Sequence, residues 1–124
     1  MSGNSILADS NIVLYLLSGD ALLAQYLQPR SIYLSIISEI EILGFQRLTA
    51  NEEQKIRKLL ASFRIIGLDE TVKEETIRLR KDFRLKLPDC IVAATALSLD
   101  LPMLTADKQF QVIPGLMLEI YQPS

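Results

Sequence analysis

Four acidic residues of this 124-residue chain stand where a carboxylate can take part in chemistry. They fall at or just after the ends of expected strands or the starts of expected helices, and they are Asp9, Glu41, Asp89 and Asp107. Because ligands in an open parallel sheet gather at the carboxyl ends of the strands, we expect the four acids to share one rim of the sheet. Four converging carboxylates repel one another strongly unless cations lie among them.

The ligand set implied by these acids contains oxygen only, which suits one or two Mg²⁺ or Mn²⁺ ions and not zinc. Such ions could polarise a phosphate, lower the pKa of a bound water and stabilise the leaving oxygen. The pattern therefore predicts metal-dependent hydrolysis of phosphodiester bonds, with no protein side chain as the nucleophile.

Glu41 lies in a segment expected to be helical over 36–48. At about 100° per residue it shares one stripe of that helix with four other residues, Ile37, Ile40, Gly44 and Leu48. A carboxylate on an apolar face is costly unless it is paired or binds a cation, so we expect Glu41 to be a functional residue or the buried partner of an arginine. Glu39 points the opposite way and is expected to be solvated.

Each of the other three acids also has a simpler explanation. Asp9 could cap the helix that follows it, although with Asp9 as a metal ligand the capping role falls to Ser10 or Asn11. Asp89 lies in the first turn of a helix that starts at Pro88, where an acid ordinarily offsets the helix dipole. Asp107 could be only the cap of a short helix. The joint occurrence of the four acids favours the metal site.

Composition narrows the chemistry further. The chain has no histidine, which excludes Ser-His-Asp, Cys-His and histidine-based ribonuclease schemes. Its single cysteine, Cys90, excludes an internal disulfide framework and a cysteine-rich zinc site, as expected of a reducing compartment. We find neither a membrane-spanning apolar run nor a signal peptide, and expect a soluble, cytoplasmic protein that does not bind membranes. The net charge of −2 exerts no global attraction on nucleic acid, so an RNA partner would need a local basic patch.

The elements that must position the acids alternate along the chain. Strands are expected at 6–8, 31–35, 64–68, 102–105 and 116–121, and helices at 12–17, 21–27, 36–48, 52–62, from 69 or 70 to about 84, and from 88, with a short helical turn at 107–110. This alternation predicts a single α/β domain over 1–124, with a mainly parallel central sheet of about five strands flanked by helices. The helix-rich stretch 36–62 is long for one crossover and indicates a protruding helical hairpin.

Together four motifs resemble the PIN-domain family, and more narrowly the VapC-type toxins of bacterial toxin–antitoxin pairs. The motifs are Leu7-Ala8-Asp9-Ser10-Asn11, Ser38-Glu39-Ile40-Glu41-Ile42-Leu43-Gly44, Leu87-Pro88-Asp89-Cys90-Ile91-Val92-Ala93-Ala94-Thr95-Ala96 and Leu104-Thr105-Ala106-Asp107. The resemblance covers nearly the whole chain in the right order. It implies a PIN fold, Mg²⁺- or Mn²⁺-dependent endoribonuclease activity, a homodimer and a cognate VapB-like antitoxin encoded beside it.

The resemblance also assigns the site residues. The family's four acids fall on Asp9, Glu41 (three positions before Gly44), Asp89 and Asp107. Three polar residues are expected to support these acids without binding the metal directly: Ser10 where the family often has threonine, Asn11, and Thr105, which matches a hydroxyl that often accompanies the last acid. Cys90 stands where the family often has alanine and is close to it in size.

The densest basic stretch of the chain runs into the Asp89 motif and contains Arg78, Arg80, Lys81, Arg84 and Lys86. These residues could form an ordinary solvated helix face, but Arg84 and Lys86 are the best placed to contact RNA. The helical hairpin carries apolar residues that could line a groove for an antitoxin segment or simply belong to the core. They are Phe45, Leu48, Ile56, Leu59 and Leu60.

Other functions compete with the toxin ribonuclease. A phosphatase or phospho-accepting receiver domain usually needs a second acid close to the first, whereas Ser10 and Asn11 follow Asp9. A housekeeping PIN nuclease of RNA processing would have the same four acids. A non-catalytic PIN-like module that only binds proteins is the third alternative, against which the intact acids argue.

Overall fold

The computed structural model of the chain describes residues 4–123, and they form an α/β fold around a five-stranded sheet. The strands are β1 (Ser5–Ala8), β2 (Ser31–Ser35), β3 (Arg64–Ile66), β4 (Met103–Thr105) and β5 (Leu118–Ile120), in the order β3-β2-β1-β4-β5. Every strand pairing is parallel. The predicted fold class is therefore confirmed.

The described residues contain six α-helices, which are α1 (Ser10–Leu17), α2 (Ala21–Leu27), α3 (Ile36–Leu43), α4 (Ala50–Leu60), α5 (Glu70–Asp82) and α6 (Leu87–Leu99). A 3₁₀-helix at Lys108–Val112 lies between β4 and β5. Among the described residues, no helix is both long and apolar enough to cross a bilayer.

The central strand β1 is buried on both faces, and its alternating side chains meet two different layers of helices. Ile6 and Ala8 belong to a cluster with Ile12 of α1 and Leu23 of α2. Leu7 points the other way, into a cluster built mainly by α5 and α6. The fold is thus a sheet covered by helices on both sides, as expected for an all-parallel sheet.

The strand order reverses direction between β1 and β4. The chain moves outward from β1 to β2 and β3, then returns to place β4 on the opposite side of β1, where Ala8 pairs with Leu104. In open α/β sheets the crevice at such a switch point is the usual ligand site. The residues that directly follow β1 and β4 therefore lie at this crevice.

Helix α3 ends at Leu43, earlier than the predicted end at Leu48. Gly44 caps the helix, and its backbone N–H donates to the carbonyl of Ile40 at 2.8 Å. A Cβ atom at position 44 would lie only 2.7 Å from that carbonyl oxygen, so the close turn requires glycine. The other elements match the expected ones with small shifts at their ends. Helices α3 and α4 form the expected hairpin, and Ile56 packs beside Ile42 and Leu34.

Candidate active site

Asp9 is the first residue after β1, and both of its carboxylate oxygens accept hydrogen bonds. Oδ1 accepts from the backbone N–H of Ser10 at 2.8 Å, which makes Asp9 the N-cap of α1. The assignment of the capping role to Ser10 or Asn11 was therefore wrong, because an acid at a strand–helix junction can cap the helix and still face the crevice. Oδ2 accepts from the Thr105 hydroxyl at 2.7 Å and, more weakly, from the Asn11 amide at 3.4 Å.

Thr105 and Asn11 connect the ends of β1 and β4. The fully buried Thr105 hydroxyl donates to Asp9 and accepts from the backbone N–H of Asp107 at 3.0 Å. The Asn11 side-chain oxygen accepts from the backbone N–H of Ala106 at 3.3 Å. These two side chains thus fix the position of Asp9 relative to the segment that carries Asp107.

Burial raises the pKa of Asp9 above its usual value, since only 7% of the residue is exposed. The hydrogen bonds from Thr105 and Ser10 act in the opposite direction, and the charges of Asp89 and Asp107 raise the pKa further. A negative charge at Asp9 is therefore costly unless a cation offsets it.

Asp89 lies in the first turn of α6, half-buried and beside Asp107. Burial raises its pKa and the charge of Asp107 adds to the effect, while a hydrogen bond from Gln109 and the charge of Lys86 lower it. The three aspartates thus act on one another electrostatically, although they are far apart in sequence.

Gln109 is a site residue that was missed at the sequence level. Its side-chain Nε2 donates to Asp107 Oδ2 at 2.5 Å and to Asp89 Oδ2 at 3.2 Å, and its backbone N–H donates to Asp107 Oδ1 at 3.0 Å. The sequence offered one signal for Gln109 as a site residue, namely its position two residues after Asp107, an acid that caps a short helix. Nothing in the sequence shows where the amide reaches.

Glu41 lies at the edge of this group and is exposed. Its Oε1 is 3.5 Å from the Ser10 hydroxyl, a long contact across to α1. The expectation that Glu41 shares the apolar face of its helix was wrong, because the buried residues of α3 are Ser38 and Ile42 while Ile40 is 58% exposed. The helix is apolar nearly all round, so its sequence does not reveal which side meets the core.

Some side chains of the basic stretch are held by a hydrogen bond or an ion pair, and others extend into solvent. Arg80 donates to the carbonyl of Leu85 at 2.7 Å and shapes the loop before α6, and Arg78 is ion-paired with Glu75 at 2.9 Å. Arg84 and Lys86 are exposed and form no ion pair within residues 4–123. The charge of Lys86 reaches Asp89.

The acids of the crevice have the chemistry of a site for a divalent metal ion. Among residues 4–123, no three acidic or thiol side chains are grouped tightly enough to hold an ion as they stand. The donors are nevertheless all carboxylate oxygens, which Mg²⁺ and Mn²⁺ prefer, and burial and mutual repulsion raise the pKa of both Asp9 and Asp89. A divalent cation would relieve that repulsion, so the residue set fits one.

Comparisons with known proteins agree with the fold. The PIN domain family matches residues 6–116. A chain of a toxin–antitoxin complex from Klebsiella pneumoniae superimposes with a TM-score of 0.78 at 32% identity, covering 96% of this chain and 98% of that one. A search of curated proteins by sequence gave no match.

Two further solved structures share the fold at lower identity. VapBC2 from Rickettsia felis, bound to a DNA fragment from its promoter, gives a TM-score of 0.85 at 20% identity, over 95% of this chain and 99% of that one. VapBC-1 from nontypeable Haemophilus influenzae gives 0.81 at 20% identity, over 94% and 97%. With its sheet order, its crevice and the match over 6–116, this chain belongs to the PIN domain family.

Proposed function

We propose that this chain, residues 1–124 acting as one PIN domain, is a metal-dependent endoribonuclease and the toxin of a VapBC-type pair. The observation that carries the proposal is the buried Asp9, held by Thr105 at the switch point and repelled by Asp89 and Asp107. The likeness of nearly the whole chain to a chain of a toxin–antitoxin complex, at 32% identity, supports the toxin assignment. The proposed location of the protein is the cytoplasm, where a bacterial nuclease would meet its RNA substrate.

One or two Mg²⁺ or Mn²⁺ ions would be held by Asp9, Asp89 and Asp107, with Glu41 at the edge of the crevice. When bound, such an ion polarises the scissile phosphate and makes a bound water a better nucleophile. Thr105 and Ser10 hold the two oxygens of Asp9, so that this carboxylate keeps one orientation in the site.

Arg84 and Lys86 are proposed to contact the phosphates of the RNA. Both are exposed, both lie in the loop before α6, and the charge of Lys86 acts on Asp89. The net charge of −2 makes such local contacts necessary, because the chain as a whole repels a polyanion weakly.

The proposed antitoxin site is an apolar cavity of about 270 Å³ next to the acids. It is lined by Ser10, Leu14, Glu41, Ile42, Phe45, Leu48 and Ile56. Leu14 and Phe45 are more than half exposed there, an arrangement that suits the apolar face of an amphipathic segment. A segment seated in the cavity would also cover Glu41.

Homodimer formation is proposed from the family resemblance, and light scattering of the purified chain tests it.

The nuclease proposal is tested by incubating the purified protein with several classes of RNA in Mg²⁺ or Mn²⁺. Asp9→Asn and an EDTA-treated sample are the controls. We expect cleavage by the wild type alone; equal cleavage by Asp9→Asn would refute the assignment. Hydrolysis of small phosphate esters without RNA cleavage would instead indicate a phosphatase.

The toxin role needs a separate test, because a housekeeping nuclease would also cleave RNA. Induced expression in bacteria should arrest growth, and expression of Asp9→Asn to the same level should not. Co-expression of the protein encoded beside this chain should restore growth. Unimpaired growth with a soluble and active wild-type protein would favour the housekeeping alternative.

A further inference from the structure

The side-chain amide of Gln109 lies between two of the proposed metal ligands. Nε2 is 2.5 Å from Asp107 Oδ2 and 3.2 Å from Asp89 Oδ2. The backbone N–H of the same residue takes the remaining oxygen of Asp107 at 3.0 Å. Gln109 alone therefore engages both oxygens of Asp107 and one oxygen of Asp89.

The atom between the carboxylates must be the nitrogen of the amide. An amide oxygen in that place would face two negatively charged oxygens with no proton to share, whereas an NH₂ group can donate one hydrogen to each. Hydrogen bonds to ionised acceptors are stronger than neutral ones. The amide thus offsets, in part, the repulsion that a cation would otherwise have to neutralise.

A cation cannot share this position with the amide. An Mg²⁺ ion lies about 2.0–2.1 Å from each ligand oxygen, so an ion bound by both Asp89 Oδ2 and Asp107 Oδ2 would occupy the gap in which Nε2 now lies.

We propose that Gln109 is a positioning residue that links Asp89 and Asp107 through its amide, and that this amide leaves the gap when a divalent cation binds. The inference rests on the proposed function, since it takes these acids to be metal ligands. The amide, a neutral donor, thus competes with the ion for the same two carboxylates.

The exchange needs only the Gln109 side chain to move. Gln109 is exposed, so its amide can rotate into water without displacing another residue. The next residue, Phe110, is 1% exposed and anchors the 3₁₀-helix in the core. The backbone N–H of Gln109 therefore keeps its hold on Asp107 while the side chain withdraws.

Metal affinity tests the competition. Mn²⁺ binding is measured by calorimetry or electron paramagnetic resonance on the wild type, on Gln109→Leu and on Gln111→Leu. Gln111 is the matched control, because it lies exposed in the same 3₁₀-helix and its side chain forms no hydrogen bond with the described part of the chain. We expect Gln109→Leu to bind Mn²⁺ about three- to tenfold more tightly, since no hydrogen bond to the acids must be broken first. Gln111→Leu should match the wild type.

An unchanged or weaker affinity of Gln109→Leu would overturn the proposal, because the amide would then be neutral or helpful toward the ion. Thermal unfolding of both variants in EDTA checks that each is folded.

A second readout uses the unaltered protein. In a titration with diamagnetic Mg²⁺ followed by NMR, the Gln109 side-chain NH₂ signals should move toward the position of a solvated amide, while those of Gln111 stay in place. If backbone signals near Asp9 and Asp89 respond to Mg²⁺ but the Gln109 amide does not, the inference fails and the metal site stands. If neither the wild type nor Gln109→Leu responds to Mg²⁺ or Mn²⁺, both the metal site and the inference fail. A response in Gln109→Leu alone supports the inference.

Discussion

At the scale of single residues, the negative charge of the buried Asp9 lowers the stability of the fold. The side chain caps α1 and accepts a hydrogen bond from Thr105, yet burial still raises its pKa. A carboxyl group with a raised folded pKa lowers stability wherever it is ionised, and this loss disappears as the pH falls below its usual value of 3.8. Neutral pH without metal is therefore an unfavourable condition for this residue.

Asp9→Asn should remove that cost. In EDTA at pH 7 we expect the melting temperature to stay within about 5 °C of the wild type, because two effects oppose each other: the variant keeps the capping oxygen and loses the buried charge, but an NH₂ group replaces the oxygen that accepts from Thr105. The melting temperature of the wild type should rise when Mn²⁺ is added, and that of Asp9→Asn should not. Asp82→Asn, in the exposed last turn of α5, serves as the control. A clear loss of stability for Asp9→Asn in EDTA would contradict the prediction.

Thr105→Val tests the residue that supports Asp9. Valine has nearly the same shape but can neither donate to Asp9 Oδ2 nor accept from the N–H of Asp107. We expect a loss of about 1–3 kcal/mol in unfolding free energy, and a roughly 10- to 100-fold lower rate of RNA cleavage. Urea denaturation and a cleavage assay measure the two effects. Thr105→Ser should restore both, and a failure to do so would mean that the methyl group, not the hydroxyl, matters.

Residue types could be assigned from the sequence because hard-cation chemistry needs carboxylates and hydroxyls, and Asp9, Asp89 and Thr105 do meet at the crevice. The orientation of Glu41 could not, because its helix has apolar residues on nearly every side. Gln109 was not predicted as a site residue, because the position of its amide depends on side-chain torsions and on the path of a 3₁₀-helix.

At the scale of elements, the largest departure from the prediction is the end of α3, at Leu43 instead of Leu48. Thr49 and Glu52 form a capping box at the start of α4, a signal that lies entirely in local sequence. The end of α3 depends on how closely Gly44 approaches the carbonyl of Ile40, which the sequence of an apolar helix does not disclose.

Gly44→Ala should therefore destabilise the protein. The added Cβ would lie 2.7 Å from the carbonyl oxygen of Ile40, which forces the backbone to shift at the start of the hairpin. We expect a loss of about 1–3 kcal/mol, measured by urea denaturation. Gly67→Ala is the matched control, because nothing lies within 4 Å of its added Cβ, and it should have little effect. Equal stability of the two variants would show that the turn adapts.

The contact between Asp20 and Tyr121 joins the start of α2 to the residue after β5. The Tyr121 hydroxyl donates to Asp20 Oδ2 at 2.6 Å, which raises the pKa of Tyr121 to about 12 and lowers that of Asp20. The tyrosine's contribution to stability is complete below pH 10.0, its usual pKa, and is lost as the pH rises through about 12. The aspartate's contribution is present above 3.8 and is lost as the pH falls through its lowered pKa.

Spectrophotometric titration of the tyrosines tests this pair. In Asp20→Asn we expect Tyr121 to ionise closer to pH 10, because the neutral amide no longer opposes the phenolate. Tyr121→Phe identifies which transition belongs to this tyrosine. If Asp20→Asn leaves that transition in place, the hydrogen bond does not control the ionisation.

At the scale of the whole molecule, the alternation of strands and helices predicted a parallel sheet but not its strand order. The order depends on pairings between distant segments, such as Leu7 with Met103, and no local pattern encodes them. The proximity of Asp107 to Asp9 follows from that order, because β4 lies directly beside β1.

Phe45→Ser tests the apolar cavity as a partner site. Phe45 is 63% exposed at the cavity, so its replacement should leave folding and RNA cleavage nearly unchanged while weakening antitoxin binding by tenfold or more, roughly the effect of losing an aromatic anchor. Calorimetry with the protein encoded beside this chain measures the affinity. Leu22→Ser, 65% exposed on α2 and outside the cavity, is the control. Equal affinity of the two variants would place the antitoxin elsewhere.

The position of β4 between β1 and β5 has a consequence for protein synthesis. Asp9 leaves the ribosome well before its hydrogen-bond donor Thr105 and its neighbour Asp107, which follow only after α6 has been made. A nascent chain that stops before β4 holds Asp9 at the end of an unpaired strand edge, without the other half of the crevice. The set of carboxylates therefore cannot assemble on the ribosome until translation has passed Asp107.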